Sequence, residues 1–323
     1  GHAVGDVLLW LGLVTAVLTG AMAFLQRHLK RMLAYSVLCH IGIMLAGIGL
    51  LDSAGLAGAE LMFLAHALLT AGLFFVAGIL HVDHVRIDEL HLHGLGRGSW
   101  VPAVAWFAGT IGLIGTPYVG IYLGHGLIDE GAAQAGRAWV LALLWLGSAL
   151  TGAALLRAGA RIFLGWGDTD DPLLGEPLEE DPRERQVFRP LLVAVAVTAV
   201  VLGIAISVVP GLGQRAEYAA DRFRDRAGYA ARVLRNRPMT PPRSLPVTIR
   251  HTSLESVLYG CGATIFAICL AGAGLYRRRL PRAVLAPIRV LRSMHSGVVG
   301  DYVTWVAVGT AVTGGIWALL LHG

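Results

Sequence analysis

The sequence predicts an all-α, polytopic membrane protein with about eight transmembrane helices, one of them broken. Three observations predict it. Of the 323 residues, 55% are hydrophobic and only 15% charged, against about 25% charged in an average soluble domain. The apolar residues fall in eight runs, most of them about 20 residues long, the length that carries a helix across a bilayer. The basic side chains collect between the runs, so the net charge of +5 reads as membrane topology rather than as a nucleic-acid surface.

The spans are expected near 7–25, 32–51, 59–80, 100–130, 138–164, 190–210, 252–275 and 298–321. The first has no charged side chain. The second follows Lys30, the only lysine in the chain, and contains His40. The third holds Glu60, His66 and Thr70. The fourth differs from the rest, because it carries Gly109, Gly112, Gly115, Pro117, Gly120, Gly124 and Gly126. Pro117 removes a backbone donor and crowds the preceding turn. A break is therefore expected at 115–120, around Gly115, Pro117 and Gly120. Breaks of this kind occur where protein or a watery cavity covers the freed backbone, and they often line transport sites. His125 lies in the second half of this span. The fifth span ends with Arg157 and Arg161, one turn apart and read as interfacial anchors.

The connections are informative too. Loops 26–31, 81–99 and 276–297 carry clustered Arg and fall on one side, which the positive-inside rule assigns to the cytoplasm. Both termini are then outside. The nine-Arg loop 211–250 is also outside and runs against this orientation. Segment 165–189 is acidic and reads as a cytoplasmic loop. Segment 216–234 mixes Tyr218, Phe223, Tyr229 and Val233 with Arg and Asp, the pattern of an amphipathic helix lying at the interface.

Several functions have no residues to support them. Cys39, Cys261 and Cys269 form no CxxC pair and read as small buried hydrophobes. His81, His84, His91 and His93, with Asp83, Asp88 and Glu89 among them, match no zinc spacing and read as a solvated loop. No phosphate loop, dinucleotide fingerprint or nucleophile motif is present. Neither a cofactor, a metal nor a catalytic site of its own is expected, and any redox chemistry belongs to partner subunits. The chain has no signal-peptide pattern. It begins at Gly1 rather than Met and is expected to be incomplete or processed there.

Lys30, His40, His66 and His125 are the candidate proton carriers. Imidazole titrates near neutral pH, and ionisable groups within spans are costly enough to be functional by default. Lys30 to His40 is ten residues, about 15 Å along a helix. Lys30 reads equally as a path residue or as an anchor reaching the interface. Each histidine reads either as a carrier or as a neutral group bonded between helices. Thr70, one turn from His66, offers a hydroxyl that holds a water but carries no charge. Glu60, Asp129 and Glu130 are placed on the outer face near an exit.

Leu29-Lys30-Arg31-Met32-Leu33-Ala34-Tyr35-Ser36, followed by His40-Ile41-Gly42, resembles the "LKR-LAYS" signature of the antiporter-like proton-channel subunits. These occur in respiratory complex I, membrane-bound hydrogenases and multisubunit cation/proton antiporters. His66-Ala67-Leu68-Leu69-Thr70-Ala71-Gly72-Leu73-Phe74-Phe75 is similar to the family's "HA--K--LF" helix, and Gly112–Gly120 to its "G--G-PP--GF" break. His295-Ser296-Gly297 with Asp301–Trp305 resembles the C-terminal helix of larger members.

The resemblance implies that residues 1–164 are the second of the family's two inverted five-helix repeats. Segment 165–189 is then a loop, and 190–323 holds the C-terminal helices with the interfacial segment. It implies a proton-translocating subunit of a multisubunit energy-converting complex in a bacterial-type cytoplasmic membrane. Other membrane subunits would be its partners, one of them supplying the missing first repeat. Without that partner Lys30, His40 and His66 are expected to face lipid. A cation/proton antiporter subunit and a non-conducting scaffold of the same fold are the alternatives. Two departures favour the scaffold: Thr70 stands where the family commonly has Lys, and Gly124 where its broken helix carries a charge.

Overall fold

The computed structural model describes residues 2–84, 86–169, 188–225 and 254–276, with the single positions 228, 308, 309, 311, 312 and 315. Most of the expected eighth span, most of segment 165–189 and the end of segment 216–234 lie outside the described residues.

The described chain is a helical bundle. Helices α1 (His2–Leu25), α2 (Leu29–Gly49) and α3 (Ser53–His84) come first. The expected fourth span is two helices, α4 (Trp100–Ile114) and α5 (Tyr122–Gln134). Next is α6 (Trp139–Gly159), continued by a π-helical turn at Ala160–Leu164. Then follow α7 (Arg189–Ala205), α8 (Leu212–Arg224) and α9 (Leu254–Leu275). Six of these are long and apolar enough to cross a membrane, and α4 is a shorter apolar helix. In lipid a helix bonds all its interior backbone groups within one segment, which is why apolar runs of this length adopt it. Pro190 sits in the first turn of α7, where no donor is lost.

Small residues let the helices close up. A methyl group on Gly12 of α1 would lie 2.5 Å from Gly42 O and Ala46 N of α2, and one on Gly49 would lie 2.5 Å from Leu9 N. The α1–α2 hairpin is thus a backbone-to-backbone contact, the packing favoured where lipid offers no hydrophobic drive. Helix α3 is central, packed by α2, α4, α5 and α7, while α6 packs on α1 and α9. Amphipathic α8 lays Ala216 and Ala220 against Ala57, Leu61 and Leu127.

Charged loops mark the two ends. At one end Arg27 pairs with Asp88 at 2.8 Å and Arg189 with Asp83 at 2.8 Å, and Asp168 N donates to Leu275 O. At the other, Arg137 pairs with Asp6 at 2.6 Å and Arg224 donates to Ser53 Oγ. Loop 86–99 is not the solvated segment expected: Ile87, Glu89 and Leu92 are buried, and Gly94 N and Gly96 N donate to Arg161 O and Ile162 O. Cys261 and Cys269 also depart from expectation. They face outward from α9, and only Cys39 is buried.

Candidate functional site: a buried polar column at the helix break

Helix α4 stops at Ile114 because Gly115 turns left-handed (φ +83°) and Pro117 follows. Residues 115–121 are non-helical, and Gly120 and Tyr118 also take positive φ. Buried peptide groups freed by such a break need new partners. Ile121 N donates back to Gly112 O, Gly120 N to Ile204 O on α7, and Ser207 Oγ to Gly120 O.

The carbonyl of Leu113, in the last turn of α4, has lost its helical partner. His40 on α2 supplies one, with Nε2 3.0 Å from Leu113 O. Its Nδ1 lies 2.7 Å from Ser36 O, one turn back on its own helix. Both ring nitrogens therefore face acceptors. A neutral imidazole has one N–H and serves one carbonyl at a time, whereas a protonated ring serves both. Each proton gained or lost at His40 makes or breaks one of these two bonds, and when the proton is on Nε2 it is the bond between α2 and the broken helix.

His66 on α3 stacks on His40, with ring centroids 4.6 Å apart and planes at 28°. Thr70 Oγ1 is 3.3 Å from each nitrogen of His66 and in line with neither. Both histidines are buried inside this chain. The expectation that they face lipid without a partner is therefore corrected: α2, α3 and the end of α4 cover them. Lys30 alone of the three is exposed. It sits in the first turn of α2, about 15 Å along the helix from His40, and the fold does not bring it to the histidines.

His125 on α5 forms a second cluster with α6. Its ring stacks on Trp145 at 4.0 Å and its Nε2 is 3.2 Å from Ser148 Oγ. Its Nδ1 faces Asp129 Oδ1 at 3.6 Å, and Trp145 Nε1 donates to Asp129 Oδ2 at 3.0 Å. Asp129 is 3% exposed, so its placement on the outer face is corrected. Glu60 is exposed and Glu130 half-buried. Ser36 Oγ, His125 Nδ1 and Asp129 Oδ1 are buried with no hydrogen-bond partner among the described residues. Such under-satisfied atoms are uncommon and call for a functional account.

Gly124 has a steric explanation. A methyl group there would lie 2.6 Å from Gly58 O and from Met62 N, both backbone atoms of α3. Helix α5 lies so close to α3 that no side chain fits.

A separate charged cluster closes one end of the bundle. Glu89 accepts from Arg157 Nε at 3.1 Å and from Arg161 at 2.5 Å, and all three are fully or nearly fully buried. Arg157 also donates to Phe24 O and Gln26 O, and Arg161 to Gly274 O. The reading of these arginines as interfacial anchors is corrected. The sequence held a usable signal, since two charges inside an apolar span require a buried counter-charge. Among the described residues no group of three His, Cys, Asp or Glu side chains is arranged to hold a metal.

Residues 2–151 match the family described as NADH:quinone oxidoreductase/Mrp antiporter, TM. Through that segment the chain is similar to this family. His40, His66, His125, Asp129, Trp145 and Ser148 all lie within the matched segment, and Arg157 and Arg161 lie beyond it. NAD(P)H-quinone oxidoreductase chain 4 of Prochlorococcus marinus (strain NATL1A) is 29% identical over 234 residues, 68% of this chain and 43% of the relative. NADH-quinone oxidoreductase subunit N of Salinibacter ruber is 32% identical over 199 residues, 61% of this chain and 38% of the relative. The chain thus spans less than half the length of these curated relatives. Among solved structures, a chain of the Mrp complex from Dietzia sp. DQ12-45-1b matches 98% of this chain and 33% of its own length, with TM-score 0.59 and 20% identity. A chain of respiratory complex I from Thermus thermophilus matches 68% of this chain and 45% of its own, with TM-score 0.54 and 24% identity. At these identities the structural likeness shows a shared fold alone.

Proposed function

We propose that this chain is a proton-translocating membrane subunit of a multisubunit energy-converting complex of the complex I or hydrogenase kind. The observation that carries the reading is the stacked, buried His40–His66 pair, with both nitrogens of His40 on carbonyl oxygens and one of them at the helix break. A proton held at His66 passes to His40 as the rings shift. Its arrival lets His40 hold Ser36 O and Leu113 O together, and its departure releases one of them. Proton position is thereby tied to the packing of the broken helix, which is what a partner complex needs in order to drive the transfer. Lys30 serves at the cytoplasmic mouth, and His125 continues the path on the far side of the break.

The complex lies in a bacterial-type cytoplasmic membrane with the Arg27 and Arg189 end inside. Other membrane subunits pack beside this chain, and the first repeat of the family comes from another chain or from sequence beyond this one. The scaffold reading keeps support from the closed position at Gly124. Substitution at His66 separates the two. In the purified complex reconstituted in vesicles, His66→Ala is expected to abolish proton movement while assembly and partner redox activity persist. Normal acidification by an assembled His66→Ala complex would favour the scaffold.

A further inference from the structure

We infer that Asp129, paired with His125, is a proton-holding group of the broken helix. The inference rests on the conducting reading above. The steric observation comes first. The α3 backbone at Gly58 and Met62 excludes any side chain at Gly124, and the buried imidazole and carboxyl groups of α5 are those of His125 and Asp129. One turn further along, Asp129 is almost fully buried, four residues after His125 and on the same helix face.

The second observation is the bonding inventory. Trp145 Nε1 holds Asp129 Oδ2, leaving Oδ1 without a hydrogen-bond partner among the described residues. His125 Nε2 is engaged by Ser148, leaving Nδ1 in the same condition. The two unpartnered atoms face each other at 3.6 Å. That gap is slightly beyond hydrogen-bond reach, and a small ring shift or one bridging water closes it. A pair built only for stability would have this bond made, because an unsatisfied buried polar atom costs about 1–3 kcal/mol.

The transfer balances simply. The Nδ1–H bond of an imidazolium breaks as an O–H bond forms on Oδ1, and a charged pair becomes a neutral imidazole and a carboxylic acid. Trp145 is a positioning residue: its stack fixes the ring of His125, and its N–H fixes which carboxylate oxygen receives the proton. Of the other titratable groups, His40 on α2 interacts electrostatically with His125. The facing stretch of α3 presents Gly58 and Met62, α6 presents Trp145 and Ser148, and Asp52 packs near Gly131. His40 on α2 belongs to the neighbouring cluster.

The test uses the assembled complex in vesicles, with proton flux and infrared difference spectroscopy of carboxyl groups as readouts. Asp129→Asn keeps the size and an acceptor for Trp145. It is expected to cut flux at least tenfold, to leave assembly intact, and to remove a carboxyl band that the wild type gains on acidification. Asp129→Glu is expected to restore part of the flux and a shifted band. Trp145→Phe, which leaves the carboxylate in place, is expected to shift the band; an unmoved band in that variant counts against the inference even where Asp129→Asn does not assemble. Unchanged flux in Asp129→Asn, with His66→Ala inactive, overturns this inference and leaves the conducting reading standing. A wild-type complex that moves no protons overturns both.

Discussion

Two buried polar regions in one bundle are built to opposite rules. In the Arg157–Glu89–Arg161 cluster the charges are opposed at 2.5 and 3.1 Å, and further backbone carbonyls of three segments take guanidinium donors. In the column of His40, His66, His125 and Asp129, rings stack without hydrogen-bonding each other and facing atoms stand just out of reach. A largely satisfied network rigidifies, so the first region is a clamp that ties loop 86–93 and α9 to the end of α6. An under-satisfied one keeps alternatives close in energy, and proton transfer requires that. Both regions are buried, so the bonding inventory separates the clamp from the proposed proton path.

The largest effect should follow from breaking the clamp. Glu89→Ala leaves two buried guanidinium groups without their carboxylate, a loss expected to cost about 3–5 kcal/mol. Thermal unfolding of the purified complex should register it, and the variant should assemble poorly. Asp129→Asn is expected to leave the unfolding midpoint near wild type while flux falls. Equal thermal effects of the two would erase the distinction between the regions.

A smaller effect is expected from placing a lysine at Gly124. Gly124→Lys drives a side chain into the α3 backbone, and overpacking of this kind costs about 1–3 kcal/mol. Reduced stability with no gain in flux is the expected outcome, read from melting and vesicle assays together. A stable variant with faster flux would show that α5 moves away from α3 more readily than the contacts at Gly58 and Met62 allow.

The smallest effect belongs to Thr70→Lys. Thr70 has the side chain of His66 beside it at 3.3 Å. Assembly within about 1 kcal/mol of wild type and flux at or above the wild-type rate are expected. Comparing the two lysine variants in one assay tests whether the two departures from the family have different causes, steric closure at Gly124 and mere replacement at Thr70.

Much of the architecture was legible because it depends on local properties. Runs of apolar residues specify helices wherever the backbone has no water to bond, so the spans through residue 275 could be read directly. Gly115 and Pro117 act on their own turns, and the interruption of the fourth span follows from them. The site was legible only in part. His40, His66 and His125 are visible as ionisable groups inside apolar runs. Asp129 looks like a helix-end carboxylate until Trp145, sixteen residues on, is seen bonded to it. Glu89 looks like one more acid in a polar loop until the loop folds over the bundle.

By itself, then, the sequence determined that this chain lies in a membrane as apolar helices, that one helix is interrupted, and which histidines sit inside the spans. These follow from composition, period and backbone chemistry over a few residues. Only the tertiary structure decided that His40 caps the broken helix, that α3 closes Gly124, that Asp129 faces His125, and that Arg157 and Arg161 share Glu89. Each of those depends on two helices meeting at a particular register. That register is set by glycine contacts summed across the whole interface, so no local stretch of sequence specifies it.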